Sequence, residues 1–249
     1  MTLNRFSISI FMLMLTVSAA IHHTVYGASH KENAVSLLNG KNLDGWTAQW
    51  EGNLWKVAGD VSVNEQNNKV FIIKDGEGII VNGDKGNTTN LVSEYQHGDC
   101  HLSIEFNVPK GSNSGVYFQG LYEIQVFDSY GKSEVEFSDC GGIYARYKDN
   151  QTYEGHPPMK NASKAPGEWQ KFEVTFRAPR FDADGKKIEN AKFVKVVHNG
   201  VTVHENVEVT GRTRASMNRE ESLKGPLMLQ GDHGPVAYRN IELTPLELD

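Results

Sequence analysis

After its first twenty residues, this chain of 249 residues has no apolar run long enough to cross a bilayer as a helix, which takes about 20 consecutive apolar residues. It has no surplus of positive charge either. Lys and Arg number 25 against 31 Asp and Glu, a formal net charge of -6. A nucleic-acid partner, which calls for a basic stripe, is therefore disfavoured. Cysteine is scarce: the two present, Cys100 and Cys140, lack the close C-x-x-C spacing of a zinc site. They either pair in an oxidising compartment or stay as two buried thiols. Internal repeats and low-complexity linkers are missing, so one domain is the simplest organisation. No long apolar stripe of period 3.6 appears, which argues against a helical fold.

The apolar run that does exist, Phe6 to Ala20, follows Arg5 and contains no acid. With small residues near Gly27, it predicts an export signal cleaved after about Gly27, leaving 28–249 as the mature domain, secreted or periplasmic. A membrane anchor is the competing reading, for which the run is short. No cysteine stands near the cleavage position as a lipid attachment would require.

Beyond the leader, short runs rich in Val, Ile, Phe and Tyr alternate with Gly, Asn and Asp, the pattern of an all-β sandwich or jelly roll. Strands are expected at Leu54 to Val57, Lys69 to Ile73, Gly78 to Val81, His101 to Val108, Gly115 to Gln119 and Tyr122 to Asp128. Others follow at Gln170 to Arg177, Lys192 to His198, Val201 to Glu205, Pro226 to Gln230 and Val236 to Leu243. Asn199-Gly200 supplies the two positive-φ residues of a type I′ hairpin. Two long irregular stretches, Asp128 to Lys164 and Glu205 to Lys224, are of a length that usually marks function or disorder. The first carries Tyr144, Tyr147, Tyr153 and His156 and is expected to wall a site.

Alternate strand residues face opposite sides. Val116 and Phe118, then Tyr122, Ile124 and Val126, suit a core, which turns Tyr117, Gln119, Glu123 and Gln125 the other way. The run from His101 to Val108 repeats the pattern with Glu105. A face of acids, amides and a phenol looks like a small-molecule site. Near the C-terminus, Asp232 and His233 sit between glycines, after Gln230 and ahead of Arg239. Asp beside His orients a general base or contributes metal ligands; it is equally the make-up of a structural turn.

These residues carry a family resemblance. Leu38-Asn-Gly-Lys-Asn-Leu-Asp-Gly-Trp46, Asn113-Ser-Gly-Val-Tyr-Phe118, Tyr122-Glu-Ile-Gln-Val-Phe-Asp-Ser129, Gly142-Ile-Tyr144, Pro166-Gly-Glu-Trp169 and Leu229-Gln-Gly-Asp-His-Gly-Pro-Val-Ala-Tyr-Arg-Asn-Ile241 together resemble the 3-keto-disaccharide hydrolase family. The resemblance implies a concanavalin A-like jelly roll of two antiparallel sheets, an exported protein, and action on sugars oxidised at C3. One departure is that Gln119 stands where the family often carries Arg, which touches a charged substrate contact.

A 3-keto sugar suits such residues. The ketone acidifies the hydrogen at C2, so a modest base removes it and the C1 substituent leaves. Water then adds, giving net hydrolysis, or does not, giving a lyase product. The site needs a base, an acid for the leaving oxygen and a donor at the developing enediolate. His233, oriented by Asp232, is the leading base or acid, with Glu123 the alternative base. Glu105, Tyr117, Gln119, Gln125, Gln230, Arg239 and Tyr144 are expected to bind substrate. A divalent metal is possible, with Glu123, Asp232 and His233 as its candidate ligands. Glu105 and Glu123 also offer the paired carboxyls of a conventional glycosidase. A non-catalytic carbohydrate-binding module is the rival from another class. Trp46 and Trp169 read as packing residues, and Trp50 and Trp55 as candidate sugar platforms. Asp182-Ala-Asp-Gly185 reads as a hairpin turn rather than a calcium loop. The sequons at Asn87, Asn150 and Asn161 are expected to be incidental if the source is bacterial, as the resemblance suggests.

Overall fold

The computed structural model describes residues 33–249; the expected leader, 1–27, lies outside them. Two antiparallel sheets are stacked into a jelly-roll sandwich, and all of its regular elements are strands. The larger sheet contains β1 (Val35–Ser36), β3 (Lys56–Val63), β4 (Phe71–Val81), β6 (Cys100–Asn107), β11 (Gln170–Arg177), β14 (Ala191–His198), β15 (Val201–Val209) and β17 (Ala237–Pro245). Its order is β15-β14-β11-β6-β17-β4-β3, with β1 beside β17. The smaller sheet runs β2-β5-β16-β7-β8, from β2 (Trp46–Ala48), β5 (Leu91–His97), β16 (Gly225–Leu229), β7 (Asn113–Phe118) and β8 (Tyr122–Phe127). Two small hairpins, β9 (Arg146–Lys148) with β10 (Gln151–Tyr153) and β12 (Arg180–Phe181) with β13 (Lys187–Glu189), decorate the loops. Among the described residues no helix is long and apolar enough to cross a membrane.

The period-2 pattern explains the core. Leu102, Ile104 and Phe106 of β6 and Phe172, Val174 and Phe176 of β11 point inward from the large sheet. They meet Val116, Phe118, Ile124, Val126, Leu227 and Leu229 from the small one. Ring centroids lie 4.7 Å apart for Phe106–Phe172 and 5.0 Å for Phe118–Phe176, within the range where aromatic pairs add to burial. The 199–200 turn forms as its sequence predicts, with φ of 50° and 81° and His198 paired to Val201.

The strands differ from expectation in several places: Leu54 to Val57 overlaps only the start of β3, and β5 was not expected. Lys69 to Ile73 and Gly78 to Val81 form one strand, β4, continuous because Gly76 lies against Gly59 of β3 so closely that a Cβ on either would sit under 3 Å from the other's Cα. Strand β5 has weak alternation in sequence because its inward positions include Ser93 and His97. Both are buried and satisfied: Ser93 Oγ donates to Tyr95 O and accepts from Leu227 N at 2.9 Å, and His97 Nε2 accepts from Gln119 N at 3.0 Å. Cys100 and Cys140 are separate buried thiols, and burial pushes Cys140 up to about 12.

Candidate active site

The outward face of the small sheet is a floor, not a solvated surface. Tyr117 of β7 stands opposite Glu123 of β8 and Met228 of β16, and Gly115 stands opposite Gln125. Paired residues put their side chains on the same side, so Met228, Tyr117, Glu123 and Gln125 share this face, which Gln230 extends from the end of β16. All are buried, with Glu123 only 2% exposed. Gly115 is required here: a Cβ would lie 2.2 Å from Glu123 Oε1, so its lack of a side chain makes room for the carboxyl.

Both long loops wall this floor. The first adds Gly141 to Tyr144 alongside β8: Gly141 N donates to Gln125 O, Gln125 N to Gly142 O and Tyr144 N to Glu123 O, at 2.8, 2.8 and 3.1 Å. The second is pinned where Thr213 Oγ1 accepts from Glu123 N and donates to Leu121 O, and where Tyr117 Oη approaches Arg214 O at 3.5 Å. A third wall is the turn 231–236. Buried Asn82 donates to Gly231 O and Gly234 O and accepts from Val236 N, while Asn90 Oδ1 accepts from Gly231 N. That turn carries Asp232 and His233, whose Oδ1 and Nδ1 lie 2.5 Å apart, with half of the imidazole exposed.

The electrostatics follow from this burial. Loss of water pushes Glu123 up to about 8; a hydrogen bond from Tyr117 opposes the rise and the charge of Asp232 adds to it. Glu123 is thus mainly a carboxylic acid at neutral pH, a state that burial favours. Burial, and then Glu123, drive the Tyr117 phenol well above its usual range. Gln125 Nε2 donates to Asn113 Oδ1 at 3.0 Å. Gln125 Oε1 and Gln230 Oε1 are buried and find no partner among the described residues. Orphaned buried acceptors are costly in a finished core, which sets these two amides apart from the satisfied polar groups around them.

Of the residues expected to form the site, the fold brings together Tyr117, Glu123, Gln125, Tyr144, Gln230, Asp232 and His233. Three lie elsewhere. Glu105 and Arg239 lie on the larger sheet, where Arg239 Nε donates to Glu105 Oε2 at 2.7 Å and its guanidinium stacks on Trp169 at 4.0 Å. Asn240 also donates to Glu105; burial opposes ionisation there, but these donors hold the carboxyl below its ordinary range. The period-2 argument assigns a face within one strand but not the sheet to which that strand belongs. The Glu105–Glu123 pair is therefore not available to a conventional glycosidase. Gln119 turns away with φ 53°, its amide donating to His97 O and Leu223 O. Trp55 is also corrected: it is buried, donates Nε1 to Thr89 O and stacks on Tyr238. Gly115, Asn82, Asn90 and Asn113 went unsuspected, because a glycine in a strand and buried asparagines show their partners only in three dimensions.

Among the described residues no group of three or more His, Cys, Asp or Glu side chains is placed to hold a metal ion; of the candidate ligands, Glu123 and Asp232 interact electrostatically and His233 is engaged by Asp232.

The family that its sequence matches puts this jelly roll in the carbohydrate-active class. Within it, the chain belongs to the family of the 3-keto-alpha-glucoside-1,2-lyase-like domain, whose profile matches residues 33–244. Among solved structures, a candidate glycosyl hydrolase of Parabacteroides distasonis ATCC 8503 is 26% identical, with a TM-score of 0.61 over 86% of this chain and 84% of that one. A second from the same organism, 17% identical with a TM-score of 0.54 over 86% and 99% of the two chains, shares the fold. No curated protein matches the chain.

Proposed function

We propose that the protein cleaves the C1–O bond of 3-keto-glycosides by elimination, with hydration completing a net hydrolysis. The observation that carries this reading is the Glu123 carboxyl, buried on the groove floor and protonated at neutral pH, beside the Asp232–His233 pair. His233 takes the C2 proton, its Nδ1 engaged by Asp232, and the C–H electrons become the C1=C2 bond. The C1–O bond breaks, and Glu123 gives its proton to the leaving oxygen. Water then returns a hydroxyl to C1 and a proton to C2. Tyr117 donates to whichever of the Glu123 carboxylate and the developing enolate carries the charge. Gln125 and Gln230 accept sugar hydroxyls. The protein works outside the cytoplasm, its leader removed.

The family description supports elimination at C1 and C2; hydration is what distinguishes a hydrolase from a lyase. The test is turnover of a 3-keto-disaccharide in D2O, with and without chelator and added divalent cation. Elimination and hydration predict two free sugars, the keto product bearing deuterium at C2. An unsaturated keto sugar as the end product makes the protein a lyase. Hydrogen retained at C2 overturns elimination, and tight binding without cleavage favours a carbohydrate-binding module.

A further inference from the structure

Trp50 is an exposed aromatic that the cleavage site does not use. Trp46 and Trp55 are buried and Trp169 lies under Arg239, whereas Trp50 is 46% exposed. It is not loose. Its N donates to Thr89 Oγ1 at 2.9 Å, Gln49 N donates to Asn90 O, and Thr88 Oγ1 accepts from Leu54 N while donating to Gly52 O. The backbone on both sides of the indole is therefore fastened to the 88–90 segment. Asn90 in turn holds the 231–236 turn through Gly231 N.

A single exposed indole is ordinary on a protein surface; what distinguishes Trp50 is the fixed backbone that carries it and the residues around it. Trp50 lines a cavity of about 330 Å³ together with Glu51, Asn87, Thr88, Thr89 and Asp232. That lies at the small end of the range for ligand sites and suits one sugar ring. Asp232 belongs to both places: it lines this cavity, meets His233 Nδ1 and raises Glu123. Both threonine hydroxyls are committed to backbone, leaving the Glu51 and Asp232 carboxylates and the Asn87 amide to meet ligand hydroxyls. Those two carboxylates repel an anionic ring.

We propose that Trp50 is the platform of a second sugar subsite, contiguous with the cleavage site and selective for an uncharged leaving sugar. This rests on the function proposed above. The indole face covers the apolar face of the pyranose that departs, while the keto ring sits over Glu123.

The test compares a 3-keto-disaccharide with methyl 3-keto-glucoside. Trp50→Ala, with its melting temperature checked against wild type, should lower the ratio of kcat/KM for disaccharide over methyl glycoside on the order of tenfold. Trp50→Phe should restore most of it. An unchanged ratio overturns the subsite. A disaccharide whose leaving sugar is a uronic acid should be the poorer substrate, with Glu51→Gln narrowing the gap; no gap overturns the selectivity. If wild type turns over neither compound, the functional reading fails, and calorimetric titration with the unoxidised disaccharide and glucose decides the subsite. Disaccharide binding weakened by Trp50→Ala upholds it; equal binding by both proteins, or none by wild type, overturns it.

Discussion

Glu123 concentrates the chemistry of the groove, and its environment sets signs that can be measured. Glu123→Gln keeps the shape and removes the proton, so turnover should fall about 10²–10⁴-fold, the worth of a general acid, with the fold intact by melting temperature. As the acid, Glu123 must be protonated, so kcat/KM should decline as pH rises through about 8. Tyr117 donates to the carboxylate and lowers its pKa, so Tyr117→Phe should move that alkaline limb up. Asp232 raises it by charge, so Asp232→Asn should move the limb down. Limbs that move the same way in both variants would remove Glu123 from the assignment. Gly115→Ala provides an independent check. The added methyl meets Oε1, Cδ and Cγ of Glu123, a buried side chain that must shift to admit it, so activity should drop sharply and the melting temperature should fall with it, whereas near-wild-type turnover would show that Glu123 need not hold its place.

At the scale of elements, β7 and β8 supply the floor and the irregular segments supply the walls. The alternation of Val116 and Phe118 against Tyr117, and of Ile124 and Val126 against Glu123 and Gln125, is legible because these strands are neighbours in sequence joined by a tight turn. Length and composition marked the loops as functional or disordered; the structure lays both against β8. The pins that hold the walls were not legible, since Asn82 and Asn90 reach across the chain to the 231–236 turn. Asn82→Ala would leave Gly234 O and Val236 N without their partner, while Gly231 O would keep Thr88 N. A loss of roughly 2 kcal/mol or more is expected, read by urea denaturation, with turnover falling further as Asp232 and His233 lose their support. Near-wild-type stability would show that the turn holds itself.

For the molecule as a whole, buried titratable groups predict a stability maximum near pH 6.5. His97, His198 and His204 are held down by burial to about 4, 3 and 4. In that window the unfolded chain binds more protons than the native one, so stability is complete above about pH 6.5 and is lost as pH falls toward 4. Glu123 has the opposite sign. Its pKa is raised, so the native state holds the extra proton between about 4.5 and 8, and stability declines as pH rises across that interval. Below pH 6.5 three histidines outweigh one carboxyl; above it Glu123 acts alone, at no more than about 1.4 kcal/mol per pH unit. Thermal melts from pH 4 to 9 check the dome, and Glu123→Gln should flatten its alkaline side. A monotonic profile would contradict it.

Sequence alone determined the all-β class, most strands, the 199–200 turn and the faces of Tyr117, Glu123 and Gln125, because each follows from period-2 burial or local φ preference. It also marked Asp232-His233 through the flanking glycines. Only the tertiary structure decided which strands share a sheet. Glu105 has the same alternation as Glu123, yet β6 pairs with β11 and β17 in the larger sheet, so Glu105 meets Arg239 rather than the groove. The fate of the tryptophans was likewise decided by packing: Trp55 turns inward onto Tyr238 and Trp50 outward beside Asp232. Pairing between distant strands is a long-range choice, made by burying whole faces at once, and no window of neighbouring residues contains it.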